Sequence, residues 1–309
     1  MDIMDSIRVQ RLRKGYGRGL PPAVDITAGF SVSGGELFGI IGPDGAGKTT
    51  LFRLLTTLIS PDEGDATVQG LDIIKDYRKL RTIIGYMPGR FSLYPDLSVK
   101  ENLDFFASVF GTSIEENYHL IEDIYCRLEP FEDRKAGNLS GGMKQKLALC
   151  CTLIHSPQVL FLDEPTTGVD PSSRREFWET LARLKGTGMT VVVSTAYMDE
   201  ANRCDRVAMM KAGRFLKVDS PRNIVDGFDR RLLAVRSDDM FRLLQDLRSM
   251  EDVDRCYTFG DTHHIVLKEG SICTPEDISG ILSGKYGHTG VEAAEQAATL
   301  EDCYMNLDG

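Results

Sequence analysis

The chain has 309 residues, of which 42% are hydrophobic and 27% are charged, a composition typical of globular proteins. Its net charge is −10 and it contains no long run of lysine or arginine, which argues against nucleic acid as the main partner. Its apolar runs are far shorter than the roughly 20 residues that cross a bilayer, so we expect a soluble chain whose membrane partner, if any, is a separate subunit.

The seven cysteines are scattered and include no C-x-x-C pair. We therefore expect reduced, mostly buried thiols in a cytosolic protein, without the ligand spacing of a metal site. The first ten residues carry acids and no apolar core, which is unlike a secretory signal.

A strand, a glycine loop and a helix follow one another early in the chain. Residues 36–41 (ELFGII) predict a buried strand, and residues 50–59 (TLFRLLTTLI) predict a helix. Between them, residues 42–49 (GPDGAGKT) match the phosphate-binding pattern G-x-x-x-x-G-K-[S/T] in the context that this pattern requires. An ordinary glycine-rich turn is the alternative, but the flanking strand and helix favour a nucleotide site.

The residue types of this loop suit a triphosphate. Gly42, Gly45 and Gly47 permit backbone torsions and close approaches that a Cβ would block. Backbone N–H groups of the loop and of the first helical turn can then point at phosphate oxygens. We predict that Lys48 reaches the β- and γ-phosphates and that the Thr49 hydroxyl binds Mg²⁺.

A second helix is predicted to begin within residues 139–146 (LSGGMKQK). Ser140 can cap it, while Gly141 and Gly142 leave its first N–H groups uncovered, which predicts a second anion-binding helix end. The alternative is a plain amphipathic helix with incidental glycines. The apolar face of this helix is formed by Met143, Leu147, Cys150, Cys151 and Ile154.

Two acids follow a short apolar run in residues 159–164 (VLFLDE). The run predicts a buried strand of a parallel sheet, and ligands bind at the carboxyl ends of such strands. We predict that Asp163 holds Mg²⁺ and that Glu164 orients or deprotonates an attacking water. Capping of the next helix is the alternative role for these acids.

In this order, the phosphate loop, the LSGG helix and the segment LDEPTTGVDP resemble the ATP-binding subunit of an ABC (ATP-binding cassette) transporter. The resemblance covers roughly residues 6–225. It implies an α/β fold with a phosphate-loop NTPase core, an antiparallel β-subdomain from residues 7–32 and 66–70, and a helical insertion at residues 98–138. We therefore expect a nucleotide-binding domain at residues 1–225 that takes ATP and Mg²⁺.

The resemblance also implies roles for individual residues. Tyr16 is expected to stack on adenine, Asp163 to be the Mg²⁺ partner together with Thr49, and Glu164 to be the general base. The implied phosphate cradle consists of Gly42, Asp44, Gly45, Ala46, Gly47, Lys48, Thr49 and Thr50.

A second ATPase domain is implied as well, because two such domains sandwich two ATP molecules in this family. The loop of Gly168, Val169 and Asp170 would cross to that domain. The signature residues would touch ATP held by the second domain, and they are Ser140, Gly141, Gly142 and Gln145.

Two positions depart from the family pattern. Gly89 stands where a glutamine that touches Mg²⁺ and the attacking water is usual, and Ala196 stands where a histidine that contacts the γ-phosphate is usual. Loss of donors that act in the transition state predicts a slow ATP site in this chain and an asymmetric heterodimer. The alternative is that polar neighbours substitute, namely Arg90, Ser194 or Tyr197.

The function we expect is that of an ATPase subunit that powers a separate membrane permease, of the export type, from the cytoplasmic face of the membrane. The permease groove is implied between the helical insertion and the Gly89 loop, and residues 91–99 (FSLYPDLSV) are either a contact or a plain loop. A regulatory subunit with negligible hydrolysis is the first alternative. A soluble ABC protein acting on ribosomes or DNA is the second, but the acidic balance and the lack of a heptad run disfavour it.

Residues 226–309 predict a small α+β accessory domain. A strand at residues 231–237, a helix at 239–250, a hairpin at 254–268 and a helix at 275–287 give a β-α-β-β-α pattern. His263 and His264 are adjacent in the hairpin, so we expect them to point to opposite faces, with one in solvent, rather than to form a metal site.

Overall fold

The computed structural model describes residues 5–17 and 19–307. The chain divides into two compact units, Met1–Pro221 and Arg222–Gly309. The domain boundary expected after Val225 falls inside a short helix, Pro221–Asp226. No helix among the described residues has both the length and the apolar character that are needed to cross a membrane.

The strands of the described residues are β1 (Asp5–Lys14), β2 (Val24–Ile26), β3 (Phe30–Ser33), β4 (Leu37–Ile41), β5 (Glu63–Val68), β6 (Leu71–Asp72), β7 (Ile84–Met87), β8 (Val159–Asp163), β9 (Thr190–Thr195), β10 (Arg206–Lys211), β11 (Arg214–Asp219), β12 (Leu232–Arg236), β13 (Val253–Phe259), β14 (Thr262–Leu267) and β15 (Glu292–Glu295).

The helices are α1 (Lys48–Leu55), α2 (Tyr77–Ile83), α3 (Val99–Val109), α4 (Ile114–Tyr125), α5 (Gly141–Leu153), α6 (Pro171–Gly186), α7 (Met198–Ala201), α8 (Pro221–Asp226), α9 (Met240–Ser249), α10 (Pro275–Gly284) and α11 (Leu300–Leu307). Short 3₁₀ turns lie at Glu129–Phe131 and Ala136–Asn138.

The larger sheet of the first unit has the strand order β11-β10-β4-β9-β8-β7. Neighbouring strands are parallel except for the edge strand β11, which is antiparallel to β10. Every residue of β4, β8 and β9 is buried, as expected for continuous apolar runs at the centre of a parallel sheet. The segments that follow β4, β8 and β9 therefore meet at the carboxyl edge of the sheet, where ligands bind in such folds.

An antiparallel sheet of β1, β2, β3, β5 and β6 packs on the same core. Its inward residues, such as Ile7 and Val68, belong to one cluster with Phe52 of α1 and Phe161 of β8. The helical insertion follows as α3 and α4, and a capping box at Ser98 begins α3. These features confirm the predicted α/β fold with its β-subdomain and helical insertion.

The second unit is built on an antiparallel sheet with the order β13-β14-β12-β15. With α9 and α10 between the strands, the chain order is β-α-β-β-α-β, the ferredoxin-like arrangement. The helices cover one face through residues such as Leu243, Leu247 and Ile278. Strand β15 and helix α11 were not predicted from the sequence, because EAAE shows no apolar alternation and α11 is short.

The prediction that His263 or His264 faces solvent is wrong, because both side chains are buried. His263 Nε2 lies 2.7 Å from the carbonyl oxygen of Met240, where α9 begins, and His264 Nδ1 lies 2.6 Å from Asp302 Oδ1 in α11. Adjacent strand residues do point to opposite faces, but a helix covers each face here. The Asp302 carboxylate also accepts a hydrogen bond from the Tyr257 hydroxyl at 2.8 Å, which fixes α11 on the sheet.

Candidate nucleotide site

The glycine loop lies between β4 and α1, and two of its positions accept only glycine. A Cβ on Gly42 would lie 2.1 Å from the carbonyl oxygen of Met210, and one on Gly47 would lie 2.2 Å from that of Ala23. Gly47 also has a φ of 108°, which side chains rarely adopt. The loop backbone is thus pressed against its neighbours while its other side faces a cleft.

This cleft has a volume of about 680 Å³ and brings most of the predicted phosphate-binding and catalytic residues together. Its size and polar lining suit a small ligand. Gly42, the first residue of the loop, is not part of the lining. The cleft is lined by Ala23, Asp44, Gly45, Ala46, Gly47, Lys48, Thr49, Thr50, Arg53, Tyr86, Pro88, Gly89, Arg90, Asp163 and Glu164.

Lys48 is the central charge of the cleft, and its side chain is only 4% exposed. Its ammonium group donates hydrogen bonds to the carbonyl oxygens of Gly42 at 2.7 Å and Pro43 at 3.0 Å. It also lies 3.1 Å from Glu164 Oε1. A phosphate at the loop would compete with Glu164 for this ammonium group, which couples anion binding to release of the carboxylate.

Ser194 of β9 positions both acids at the end of β8. The sequence did not predict this role for Ser194. Its hydroxyl donates to Asp163 Oδ1 at 2.6 Å and accepts from the Glu164 N–H at 3.0 Å. Glu164 has a φ of 49°, an uncommon value for a residue with a side chain and one that clusters at functional sites. The pair is therefore held by a neighbouring strand rather than by β8 alone.

The donor set of the cleft fits Mg²⁺. This ion prefers oxygen ligands, keeps several waters and binds through one or two carboxylates plus substrate phosphates. Thr49 and Asp163 offer a hydroxyl and a buried carboxylate, and both residues line the cleft. Among the residues that the structure describes, no group of three or more His, Cys, Asp or Glu side chains is arranged to hold a metal.

Two tyrosines lie in or next to the cleft, and Tyr86 is one of its lining residues. Burial, and secondarily the Asp163 carboxylate, raise the pKa of Tyr86 to about 12, so its hydroxyl stays protonated. Tyr16, the predicted adenine contact, lies at the cleft residue Thr50, with its hydroxyl 3.3 Å from Thr50 Oγ1. The Tyr16 side chain is 59% exposed and is not among the residues that line the cleft.

The predicted signature residues lie outside the cleft, and none of Ser140, Gly141, Gly142 and Gln145 lines it. Ser140 Oγ accepts a hydrogen bond from the Met143 N–H at 3.4 Å and caps α5. A Cβ on Gly142 would lie 2.6 Å from Ser173 Oγ. The helix end therefore packs against the first turn of α6.

Asp170 caps that first turn of α6. Its carboxylate accepts hydrogen bonds from the backbone N–H groups of Ser172 at 3.1 Å and Ser173 at 3.0 Å. These bonds, above all that from Ser173, lower the pKa of Asp170. Asp170 and the signature glycines thus lie side by side, outside the cleft lining.

Comparison with known proteins agrees with this geometry. A family model described as ABC transporter matches residues 27–167. The Nod factor export ATP-binding protein I of Burkholderia lata is 34% identical over 286 residues, which span 91% of this chain and 90% of that protein. The chain belongs to the ABC transporter family of ATP-binding proteins.

Two further relatives of this ABC protein bear on its organisation. The "Probable multidrug ABC transporter ATP-binding protein YbhF" of Escherichia coli K12 is 40% identical over 285 residues, which span 90% of this chain but only 48% of that relative. A solved structure described as a dimeric bacterial ABC transporter cassette is 25% identical, with a TM-score of 0.63, and covers 69% of this chain and 98% of its own. The chain thus spans about half the length of the E. coli relative.

The two departures from the ABC pattern lie in different surroundings. Gly89 lines the cleft, and a Cβ there would lie 2.9 Å from the carbonyl oxygen of Asp163, so a larger residue requires a backbone shift. Ala196 is exposed just after β9 and could carry a larger side chain. Restoring a histidine at position 196 is therefore sterically simpler than restoring a glutamine at position 89.

The three polar residues that could substitute for the missing groups differ in whether their side chains are already engaged by other residues. The hydroxyl of Ser194 is engaged by both acids, and the ring of Tyr197 lies under the Arg174 guanidinium at 4.3 Å. Arg90 lines the cleft and makes no hydrogen bond or ion pair with any other residue that the structure describes. Arg90 is therefore the candidate whose charge remains available to a phosphate.

An apolar groove of about 420 Å³ lies beside the nucleotide cleft of this ABC protein. Tyr86 lines both, and Phe106, Val109 and Phe110 of the helical insertion form its outer wall. Phe91 and Tyr94, from the segment predicted to contact a permease, are exposed but do not line the groove. The complete lining is Thr56, Leu58, Arg81, Ile84, Tyr86, Phe106, Val109, Phe110, Cys151, Thr152 and His155.

Proposed function

We propose that this chain is the ATP-binding and ATP-hydrolysing subunit that powers a separate membrane permease of the export type. The observation that carries the proposal is the convergence of Lys48, Thr49, Asp163 and Glu164 on one cleft. The names of the multidrug and Nod factor export relatives support the export branch. Such a subunit would work at the cytoplasmic face of the membrane.

In this proposal each cleft residue has a separate task. Lys48 and the loop N–H groups bind the β- and γ-phosphates, and the phosphate draws the Lys48 ammonium away from Glu164. Thr49 and Asp163 would hold Mg²⁺, which neutralises phosphate charge when bound. Glu164, held by Ser194, then orients an attacking water or accepts its proton.

A second ATPase domain is part of the proposal, because the signature lies outside the cleft of its own chain. The first turn of α5, where Gly141 is exposed, suits the γ-phosphate of ATP held by another cassette. Asp170 and Gly168 lie on the same surface. A partner with intact glutamine and histidine would complete an asymmetric heterodimer, and the dimeric relative supports the pairing in outline.

The apolar groove is the proposed permease contact. Its outer wall of Phe106, Val109 and Phe110 suits the apolar face of a short helix from a membrane subunit. Cross-linking of residues in this groove to the permease would support the assignment. A complex in which these residues remain accessible to a labelling reagent would contradict it.

The chain's own site should hydrolyse ATP slowly, because Gly89 and Ala196 lack the donors that the family places there. Ala196→His should raise single-turnover hydrolysis by about tenfold or more, since one such donor is worth about a hundredfold in favourable cases. The measurement is phosphate release from bound ATP. Ala196→Phe is the control, because it adds a ring of similar size without a donor. An unchanged rate in Ala196→His, or an equal gain in both variants, would contradict the slow-site proposal.

A hydrolysis-deficient regulatory subunit is the second candidate function. The exposed Ala196, where a γ-phosphate contact is usual, favours it. In that case ATP would only clamp the dimer, and phosphate release would stay at background with and without the partner domain. The available guanidinium of Arg90 favours the first candidate instead.

A further inference from the structure

Three segments of the first unit meet at one buried carboxylate, that of Glu200 in α7, and one of them carries the cleft residue Glu164. Glu200 is only 2% exposed. Its Oε1 accepts a hydrogen bond from Thr166 Oγ1 at 2.7 Å, and its Oε2 accepts one from Thr195 Oγ1 at 2.6 Å. Arg174 Nε lies 3.4 Å from Oε1 and supplies the opposite charge.

The partners of Glu200 come from segments that carry functional residues. Thr166 lies two residues after Glu164, and Thr195 directly precedes Ala196. Arg174 is in α6, four residues after Asp170. The phosphate loop, all of which the structure describes, donates no hydrogen bond to the Glu200 carboxylate itself, although the Gly42 N–H donates to the carbonyl oxygen of Thr195 at 3.3 Å.

Both oxygens of the Glu200 carboxylate accept a hydrogen bond, whereas the buried Arg174 Nε pairs with it by charge and makes no hydrogen bond within the described part of the chain. A buried carboxylate is costly unless it is hydrogen-bonded and paired, and low dielectric strengthens each bond that it does make. Thr195 Oγ1 also accepts from the Tyr197 N–H at 3.0 Å, and the Arg174 guanidinium lies 4.3 Å from the Tyr197 ring centre. The segment on both sides of Ala196 is therefore tied to the same carboxylate.

We propose that Glu200 is a positioning residue for ATP hydrolysis. It sets the spacing between the Glu164 segment, the segment at Ala196 and the start of α6 through its contacts with Thr166, Thr195 and Arg174. This inference rests on the proposed ATPase function. Because Glu200 does not contact the phosphate loop, its loss should lower the rate of cleavage and leave ATP binding intact.

The test compares hydrolysis and binding in the full chain. Glu200→Gln keeps the shape but removes the charge and one acceptor, and it should lower single-turnover hydrolysis by about tenfold or more, since small misplacements of catalytic groups are that costly. The dissociation constant of a fluorescent ATP analogue should change by no more than about twofold. Thr166→Val and Thr195→Val each remove one hydrogen-bond donor to Glu200. Each should lower the rate of hydrolysis, but by less than Glu200→Gln does.

Asp302→Asn is the matched control, because it neutralises a fully buried carboxylate in the other unit. It should lower the melting temperature without changing the hydrolysis rate. Normal hydrolysis in Glu200→Gln, or a parallel loss of ATP binding and hydrolysis, would overturn the inference. If Glu200→Gln does not fold, unchanged rates in both valine variants would overturn it. Absence of Glu164-dependent hydrolysis in the unaltered chain would instead refute the proposed function itself.

Discussion

Replacing Lys48 with alanine should abolish ATP binding, with a rise in the dissociation constant of at least about a hundredfold. The expected loss of about 3 kcal/mol reflects removal of a buried, hydrogen-bonded charge from an anion site. The same change leaves the Glu164 carboxylate without its ion-pair partner at 3.1 Å, which adds repulsion toward phosphate. Equilibrium titration with a fluorescent ATP analogue and Mg²⁺ measures the effect.

Lys79→Ala is the matched control for this experiment, because Lys79 is an exposed lysine of α2 outside the cleft lining. It should bind the analogue as the unaltered chain does. Tight, saturable binding by Lys48→Ala would show that the nucleotide lies elsewhere and would refute the cleft as the ATP site.

Replacing Glu164 with glutamine should remove the hydrolysis that the slow site retains, while ATP binding persists. A general base contributes about 10²- to 10⁴-fold to the rate, so phosphate release should fall by at least about a hundredfold or to background. Binding should persist because Lys48 keeps both of its carbonyl partners in the loop. Phosphate release from bound ATP, measured beside analogue binding, separates the two effects.

The control is Glu179→Gln, which neutralises an exposed carboxylate of α6. It should leave both phosphate release and binding unchanged. Hydrolysis at an unaltered rate in Glu164→Gln would mean that another group acts as base, and the assignment of Glu164 would then fail.

The parts of this molecule that could be predicted from sequence are those fixed by short-range physics. The glycine loop, the Ser140 cap and the apolar run before Asp163 each specify their local structure within about ten residues. Their convergence followed from a general rule, namely that parallel strands present their carboxyl ends at one edge of the sheet. The structure places Asp163 and Glu164 at that edge, in the same cleft as Lys48.

What could not be predicted depends on which strands are neighbours. Ser194 reaches both acids only because β9 lies between β4 and β8, and no spacing in the sequence reveals that order. The Glu200 cluster unites positions 166, 174, 195 and 200, which lie in the turn after β8, in α6, in β9 and in α7. The burial of His264 likewise depends on α11, which returns to cover the second face of its sheet.

The most direct test of the slow-site account counts bound ATP and released phosphate in the same sample of the purified chain with Mg²⁺ and radiolabelled ATP. We expect saturable binding, with release of phosphate far slower than from the Ala196→His variant. Failure to retain labelled nucleotide, or release of phosphate by the unaltered chain as fast as by that variant, would contradict it.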